Sequence, residues 1–357
     1  MSKFFGERLT LEIYGGSHEP VIGVKLSGIA AGSKIDTEAL AAFMARRAPG
    51  RDKFSTPRKE ADAVEILTGI NDGICDGSEI HAIIRSTNKR PGDYSQFLDT
   101  PRPSHADYVA KVKYKDTVNM SGGGPFSGRM TAPLCIAGGI ALQLLEQRGV
   151  HIGAHLYSVG KVADTPFDPI EIDADTLKML KQKPFPATDD IATEKMQQSI
   201  LDAKADGDSI GAVIEVAVCG LGVGLGGPLF DGLESRISAL AFAVPATKGI
   251  EFGSGFASAQ MLGSEHNDPF CIKDGGIFTE TNNAGGILGG ISSGMPLIFR
   301  VAMKPTPSIS KEQRSVSLSR MENTTLTVGG RHDPCVAVRA VPVFEAVAAL
   351  AILDAWE

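Results

Sequence analysis

Arg331, His332, Asp333 and, a little further on, Arg339 set two guanidinium groups, an imidazole and a carboxylate close together, just after Gly329-Gly330 and just before an apolar run. Charges crowded against apolar sequence are costly to bury unless partners meet them. An anionic ligand would supply such partners. Two further histidine-centred islands have the same character: Gly15-Gly16-Ser17-His18 and Arg102-Pro103-Ser104-His105-Ala106-Asp107. Imidazole titrates near neutral pH, so His18 and His105 are candidate acids. Taken singly, each is more simply a structural residue. The question is whether the three islands form one site.

Other features point to anions as well. Arg46, Arg47, Arg51, Lys53, Arg58 and Lys59 cluster around a Pro-Gly turn. They read either as a solvated charged loop or as a clamp for phosphates or carboxylates, which arginine grips with a two-pronged fork. Ser121-Gly122-Gly123-Gly124-Pro125-Phe126-Ser127-Gly128-Arg129 opens an apolar helix, where free backbone amides favour an anion. The spacing is neither a Walker loop nor a dinucleotide fingerprint, so neither ATP nor a Rossmann dinucleotide is supported. Asn282–Gly294, rich in glycine, suits a turn region or backbone lying flat on a planar ligand. Lys304-Pro305-Thr306-Pro307-Ser308 adds a cation and hydroxyls. His151 and His155 have H-x-x-x-H spacing, but their segment reads as a strand, where residues four apart lie about 13 Å from each other. No metal site is expected there. His81 and His266 are isolated and read as structural.

The elements that must position these residues are legible in outline. Residues 9–13 and 21–26 have strand patterns, as do 64–68, 78–84 and 209–218. A helix starts at Asp36, which can cap it, and stops at Pro49-Gly50. Residues 129–148 form a helix apolar nearly all round, hence central, with Gly139 marking a close neighbour. Residues 172–183 and 190–206 read as surface helices, 230–242 as a further helix, and 341–355 as a final apolar one. Strands mixed with helices, without regular β-α-β spacing, indicate an α+β architecture. No linker is evident, so one domain over residues 1–357 is expected.

Composition sets the bounds. The chain has 357 residues, 43% hydrophobic and 22% charged, as in soluble globular proteins. A formal charge of -7 argues against nucleic acid as the main partner. The five cysteines are scattered, without C-x-x-C spacing, which fits reduced thiols in the cytoplasm. No signal peptide is indicated. The apolar runs are shorter than a bilayer needs, so no membrane partner is expected.

Together the islands resemble the chorismate synthase family. The resemblance rests on Gly-Ser-His at 16–18, Arg46-Arg47-Ala48-Pro49-Gly50, Arg102-Pro103-Ser104-His105-Ala106-Asp107-Tyr108 and the triple glycine after Ser121. It continues through residues 226–231, 283–294, Lys304-Pro305-Thr306 and the segment 331–342, in family order across nearly the whole chain. It implies a sandwich with helices between antiparallel sheets, a homotetramer, and a lyase that forms chorismate from 5-enolpyruvylshikimate-3-phosphate. This is the last step of the shikimate pathway, which feeds aromatic amino acid synthesis. The reaction would be an anti-1,4 elimination of phosphate that needs reduced FMN without net redox change.

The resemblance also implies roles. His18, with Arg47 and Arg129, would assist the leaving phosphate. His105 would protonate or steady the reduced flavin, and Asp333 would act with it in removing the ring proton. Ser17, Arg47, Lys53, Arg129 and Arg339 would bind substrate. Flavin would contact Ser127, Pro245, Ala246, Gly289, Lys304, Pro305, Thr306, Pro307, Ser308 and Arg331. No extra domain is evident, which leans toward FMN reduced by an external flavin reductase, with NADPH as the indirect reductant. His332 has no assigned role, and Cys335 reads as a packed thiol. Four departures stand out, one being Lys53, which stands where the family often has Arg. Gly16 and Glu19 replace the family's Glu before the serine and Gly after the histidine. Pro125-Phe126 replaces Arg-Ser, and proline brings no amide proton. Ala48 stands where the family has Arg. Two rivals are a net-redox flavin enzyme, disfavoured by the lack of a nicotinamide fingerprint, and a non-catalytic anion binder, disfavoured by the His18–His105–Asp333 trio.

Overall fold

A computed structural model describes residues 2–56, 60–86, 96–115, 117–330 and 332–356. Two five-stranded antiparallel sheets form the outer layers. In the first, the order is Ser2–Phe5, Thr10–Tyr14, Val21–Ser27, Ile80–Arg85, Val64–Thr68. In the second it is Thr247–Phe252, Leu297–Met303, Ala212–Cys219, His151–Val159, Val162–Ala163. The expected sandwich, α+β with helices between antiparallel sheets, is what the chain adopts.

Helix α1 (Thr37–Arg47) begins where the sequence indicates: the Asp36 carboxylate accepts the amides of Glu38 (2.9 Å) and Ala39 (3.0 Å). Helix α2 (Asp107–Tyr114) follows the second histidine island and was not anticipated. Helix α3 (Thr131–Glu146) is buried on nearly every side, as its unbroken apolar pattern requires. Stretched back to Gly128 it is long and apolar enough to cross a membrane, yet 83% of that window is buried inside the protein, so it is a core helix. Helices α4 (Ala174–Gln182) and α5 (Asp190–Ala205) pack against the strand His151–Val159, and α6 (Leu233–Ala243) packs on the final helix. The final helix starts at Ala337, four residues earlier than its apolar run suggests, and continues through Pro342 to Ala355.

Helix α3 and the final helix form the middle layer. Gly138 faces Ala346 so closely that a Cβ there would fall 2.1 Å from the alanine methyl. Only glycine allows the two helices to meet at that distance. One hydrophobic cluster runs from the first sheet (Ile22, Val24, Ile84) through α3 and the final helix to the second sheet (Ile152, Val216, Phe299). At the far end of the final helix, buried Asp354 accepts the amides of Glu7 (3.2 Å), Arg8 (3.0 Å) and Leu9 (2.8 Å) and pairs with Arg236 at 2.7 Å. Lys304–Ser308 is a loop that follows the strand ending at Met303.

Candidate active site

The three islands do meet. A cavity of about 320 Å³ is lined by Ser17 from the first island, His105 from the second, and His332, Asp333 and Arg339 from the third. The glycine loop contributes Ser127 and Arg129, and the segment after α6 contributes Pro245 and Ala246. Lys304, Thr306, Pro307 and Ser308 complete the wall.

His18 stands just behind that wall. A Cβ on Gly122, which lines the cavity, would lie 2.1 Å from His18 Nδ1 and 2.8 Å from Ser17 Oγ. Gly122 has φ +63, in the left-handed region, so both its conformation and its closeness to His18 require glycine. The amide of Ser17 donates to the Gly124 carbonyl at 3.2 Å, which ties the first island to the glycine loop.

His105 is held by the first residue of α2. Its Nδ1 lies 2.7 Å from Asp107 Oδ1 and 3.1 Å from Arg102 Nη2, so both neighbours are met through that one nitrogen. Nε2 is then left toward the glycine loop, 3.2 Å from where a Gly123 Cβ would stand. Asp107 also accepts from the Arg102 backbone amide (3.0 Å), Nε (2.7 Å) and Nη2 (2.8 Å). Burial alone would raise the Asp107 carboxyl; the hydrogen bonds from Arg102 and His105 outweigh it and hold that carboxyl well below the usual range. Arg102 in turn donates to Ser308 Oγ (3.1 Å) and lies 4.4 Å over the Phe97 ring.

The arginines divide by what already occupies them. Arg47 lines the cavity but is buried, with Nη1 paired to Asp62, Nε donating to Thr131 Oγ1 (3.1 Å) and Nη2 to the Gly128 carbonyl (3.1 Å). Arg46, part of the expected clamp, is committed to Glu345 of the final helix at 2.5 and 2.7 Å. Arg129 offers more. Its Nη1 reaches Glu60 (2.5 Å) and Asp62 (2.9 Å), while its buried Nε and Nη2 have no hydrogen-bond partner among the described residues. Burial pushes the Arg129 guanidinium's pKa down, against the pull of Asp62 and Glu60. An anion meeting that open edge would restore the missing bonds.

Asp333 receives the Thr56 amide on Oδ1 (2.8 Å) and Arg339 Nη1 on Oδ2 (2.9 Å). Arg339 Nε also donates to the Arg47 carbonyl at 3.3 Å. Lys304 Nζ donates to Ser104 Oγ at 3.1 Å. Thr306 Oγ1 is a further buried polar atom without a hydrogen-bond partner among the described residues.

Not every expected residue reaches the cavity. Lys53 is exposed, with Nζ 5.3 Å over the Phe54 ring. Gly289 sits in an exposed turn between Ile287–Leu288 and Ile291–Ser293, and Pro305 also points outward; neither lines the cavity. Arg331, Arg58 and Lys59 lie outside the described residues. The departures resolve in space. Pro125 is exposed and off the cavity, while Phe126 lines it with its ring 6.1 Å from Tyr114. A Cβ on Gly16 would lie 3.3 Å from Glu19 Oε1, so the Glu19 carboxylate stands beside the place a side chain at 16 would take.

Sequence reasoning missed Glu60 and Asp62, which hold Arg129 and Arg47. The available signal was the Glu60-Ala61-Asp62 alternation directly after the basic cluster. Away from the cavity, His155 does not pair with His151. It is fully buried between Asp164 (2.8 Å) and Glu215 (2.9 Å).

The sequence profile described as "Chorismate synthase" matches residues 9–356. A protein named chorismate synthase from Lancefieldella parvula is 42% identical, over 99% of this chain and 96% of its own length. Proteins of the same name from Korarchaeum cryptofilum and Thermococcus gammatolerans are 41% and 39% identical, each over at least 96% of its own length. A solved structure titled "Crystal Structure of Chorismate Synthase" superposes with a TM-score of 0.74 at 25% identity, covering 98% of this chain and 92% of that one.

Proposed function

The chain belongs to the chorismate synthase family, enzymes of the lyase class, and from that premise we propose that it converts 5-enolpyruvylshikimate-3-phosphate to chorismate. In this reaction the C3–O bond to phosphate and a ring C6–H bond break and a second ring double bond forms. The observation that carries the reading is the convergence of the three islands on one cavity whose best-placed guanidinium, Arg129, keeps an unpaired edge.

A reduced FMN fits this wall: Thr306 Oγ1 is a buried hydroxyl in need of a partner, and Ser127, Ala246 and Lys304 stand along the same cavity. When bound, the flavin supplies electron density and recovers it, so no net redox change results. The chain's own groups do the rest. The Arg129 edge would hold a phosphate or carboxylate, with Arg47 contributing charge from behind. His105, oriented by Asp107, would hold or deliver a proton at Nε2. His18, packed against Gly122, would assist departure of the phosphate. Asp333, kept in place by Thr56 and Arg339, would take part in removing the ring proton through Oδ2, since Oδ1 already receives both Thr56 and Arg339. Ser17 and Arg339 would complete the substrate contacts.

We further read the chain as one catalytic domain acting in the cytoplasm in the shikimate pathway, with FMN reduced by an external flavin reductase that draws on NADPH. The exposed apolar hairpin Phe270–Lys273 and Gly276–Thr279, where Ile272 is 83% exposed, supports self-association as the expected homotetramer.

One anaerobic assay tests the reading: purified protein, photoreduced FMN and the enolpyruvyl substrate, following chorismate absorbance and phosphate together. Equal amounts of both products with the flavin still reduced are expected. Absence of phosphate release would overturn the reading, and flavin oxidised in step with product would favour a net-redox enzyme.

A further inference from the structure

His332 takes no part in the reaction outlined above, yet its ring lines the same cavity. Its Nε2 lies 3.2 Å from the Gly329 carbonyl oxygen. A carbonyl oxygen can only accept, so Nε2 carries the proton, and in the neutral ring Nδ1 is an acceptor. That acceptor has no hydrogen-bond partner among the described residues. Burial pushes the pKa of His332 down, and Arg102 and His105 push the same way, against the Gly329 carbonyl and Asp333. The charged groups around it are therefore Arg102, His105, Asp333 and, paired to Asp333, Arg339.

The rest of the wall explains why a neutral acceptor matters. Arg129 and Lys304 are cationic donors suited to carboxylates and phosphate, and those groups of the ligand only accept. The ligand has one group able to donate a hydrogen bond, the free hydroxyl on its ring at C4. The wall's carboxylates are already engaged, Asp333 by Arg339 and Glu60 by Arg129, and each would bring negative charge against a polyanion. We propose that His332, through Nδ1, is the acceptor for the ring C4 hydroxyl and so the residue that selects substrates carrying it. The inference rests on the reading that the ligand is 5-enolpyruvylshikimate-3-phosphate.

The test is a binding cycle on the full-length protein with oxidised FMN, so that no turnover intervenes, using the substrate and its 4-deoxy analogue. The wild-type protein should prefer the hydroxylated ligand by about tenfold or more, the scale of one well-made hydrogen bond. His332→Gln keeps a donor near the Nε2 position for Gly329 but has no acceptor in place of Nδ1, so it should bind both ligands alike. His332→Asn places an amide oxygen near Nδ1 and should restore part of the preference. Wild-type selectivity should also fade as acid protonates Nδ1, a pH dependence absent from His332→Gln. A purely structural His332 would alter thermal stability without changing the ratio of the two affinities. Undiminished preference in a folded His332→Gln would overturn the assignment while leaving the proposed reaction standing. If the wild-type protein bound neither ligand and released no phosphate with reduced FMN, the proposed reaction itself would fall, and this inference with it.

Discussion

His105 holds its Nδ1 2.7 Å from Oδ1 of Asp107, a carboxylate that simultaneously takes three N–H groups of Arg102. The imidazole is thus aimed by a group that is itself immobilised, and its Nε2 is the nitrogen left for chemistry. Because the Asp107 pKa is pulled far down, the carboxylate stays ionised at any pH where the enzyme would work. His105→Ala should therefore keep the fold and FMN binding and lower turnover by roughly a hundredfold or more, the usual size for a lost general acid. Steady-state rates beside a flavin titration check this, and unchanged turnover would sink the role.

Arg129 should behave as a two-pronged binding group. Arg129→Lys keeps the positive charge but replaces the open Nε–Nη2 edge with a point charge. The half-saturating substrate concentration should rise by about tenfold or more, with kcat affected less. A variant with wild-type saturation would show that the open edge faces no ligand.

Gly122→Ala tests the contact behind the wall. The added methyl would lie 2.1 Å from His18 Nδ1 at a backbone φ of +63, so the loop or the imidazole must shift. Displacements of this size at an active site can cost about a hundredfold in rate. Gly222→Ala, where nothing lies within 4 Å, is the control and should match wild type. Equal rates for the two variants would contradict the placement of His18.

The buried trio of His155, Asp164 and Glu215 predicts how stability varies with pH. Asp164, raised by burial but lowered more by His155 and the amides of Thr188 and Asp189, sits at about 2, below its ordinary 3.8. Its contribution is present above the unfolded value and is lost as pH falls from about 4 toward 2. For His155, burial lowers the pKa, but the bonds to Asp164 and Glu215 outweigh it, and the net direction is up. Its contribution is full below the ordinary 6.5 and fades as pH rises through the folded value. Urea midpoints across pH should peak on the weakly acidic side of neutrality, and Asp164→Asn should flatten the acid limb. An acid limb unaltered in that variant would refute the assignment.

The sequence made the secondary structure legible wherever one strong local signal acted. Asp36 capped α1 as its position indicated, and the unbroken apolar run of α3 marked a core helix. It was less informative where partners are distant. Nothing local distinguishes Arg46, committed to Glu345 almost three hundred residues away, from Arg129, whose outer edge stays open. Helix α2 escaped notice because its start looked like chemistry, and Asp107 in fact serves both purposes, as first helical residue and as anchor of His105. Glu60 and Asp62 were missed for a related reason: acids beside a basic cluster look like solvated surface until burial reveals them as counter-ions.

The Asp354 carboxylate, which gathers the amides of Glu7, Arg8 and Leu9, also bears on how fast the molecule can fold. Those contacts join residues 345 to 347 positions apart, so each closes a very long loop. The middle layer likewise depends on a distant contact, the final helix lying on Gly138. Contacts of that separation are costly in chain entropy, so this sandwich should fold more slowly than one closed by local contacts.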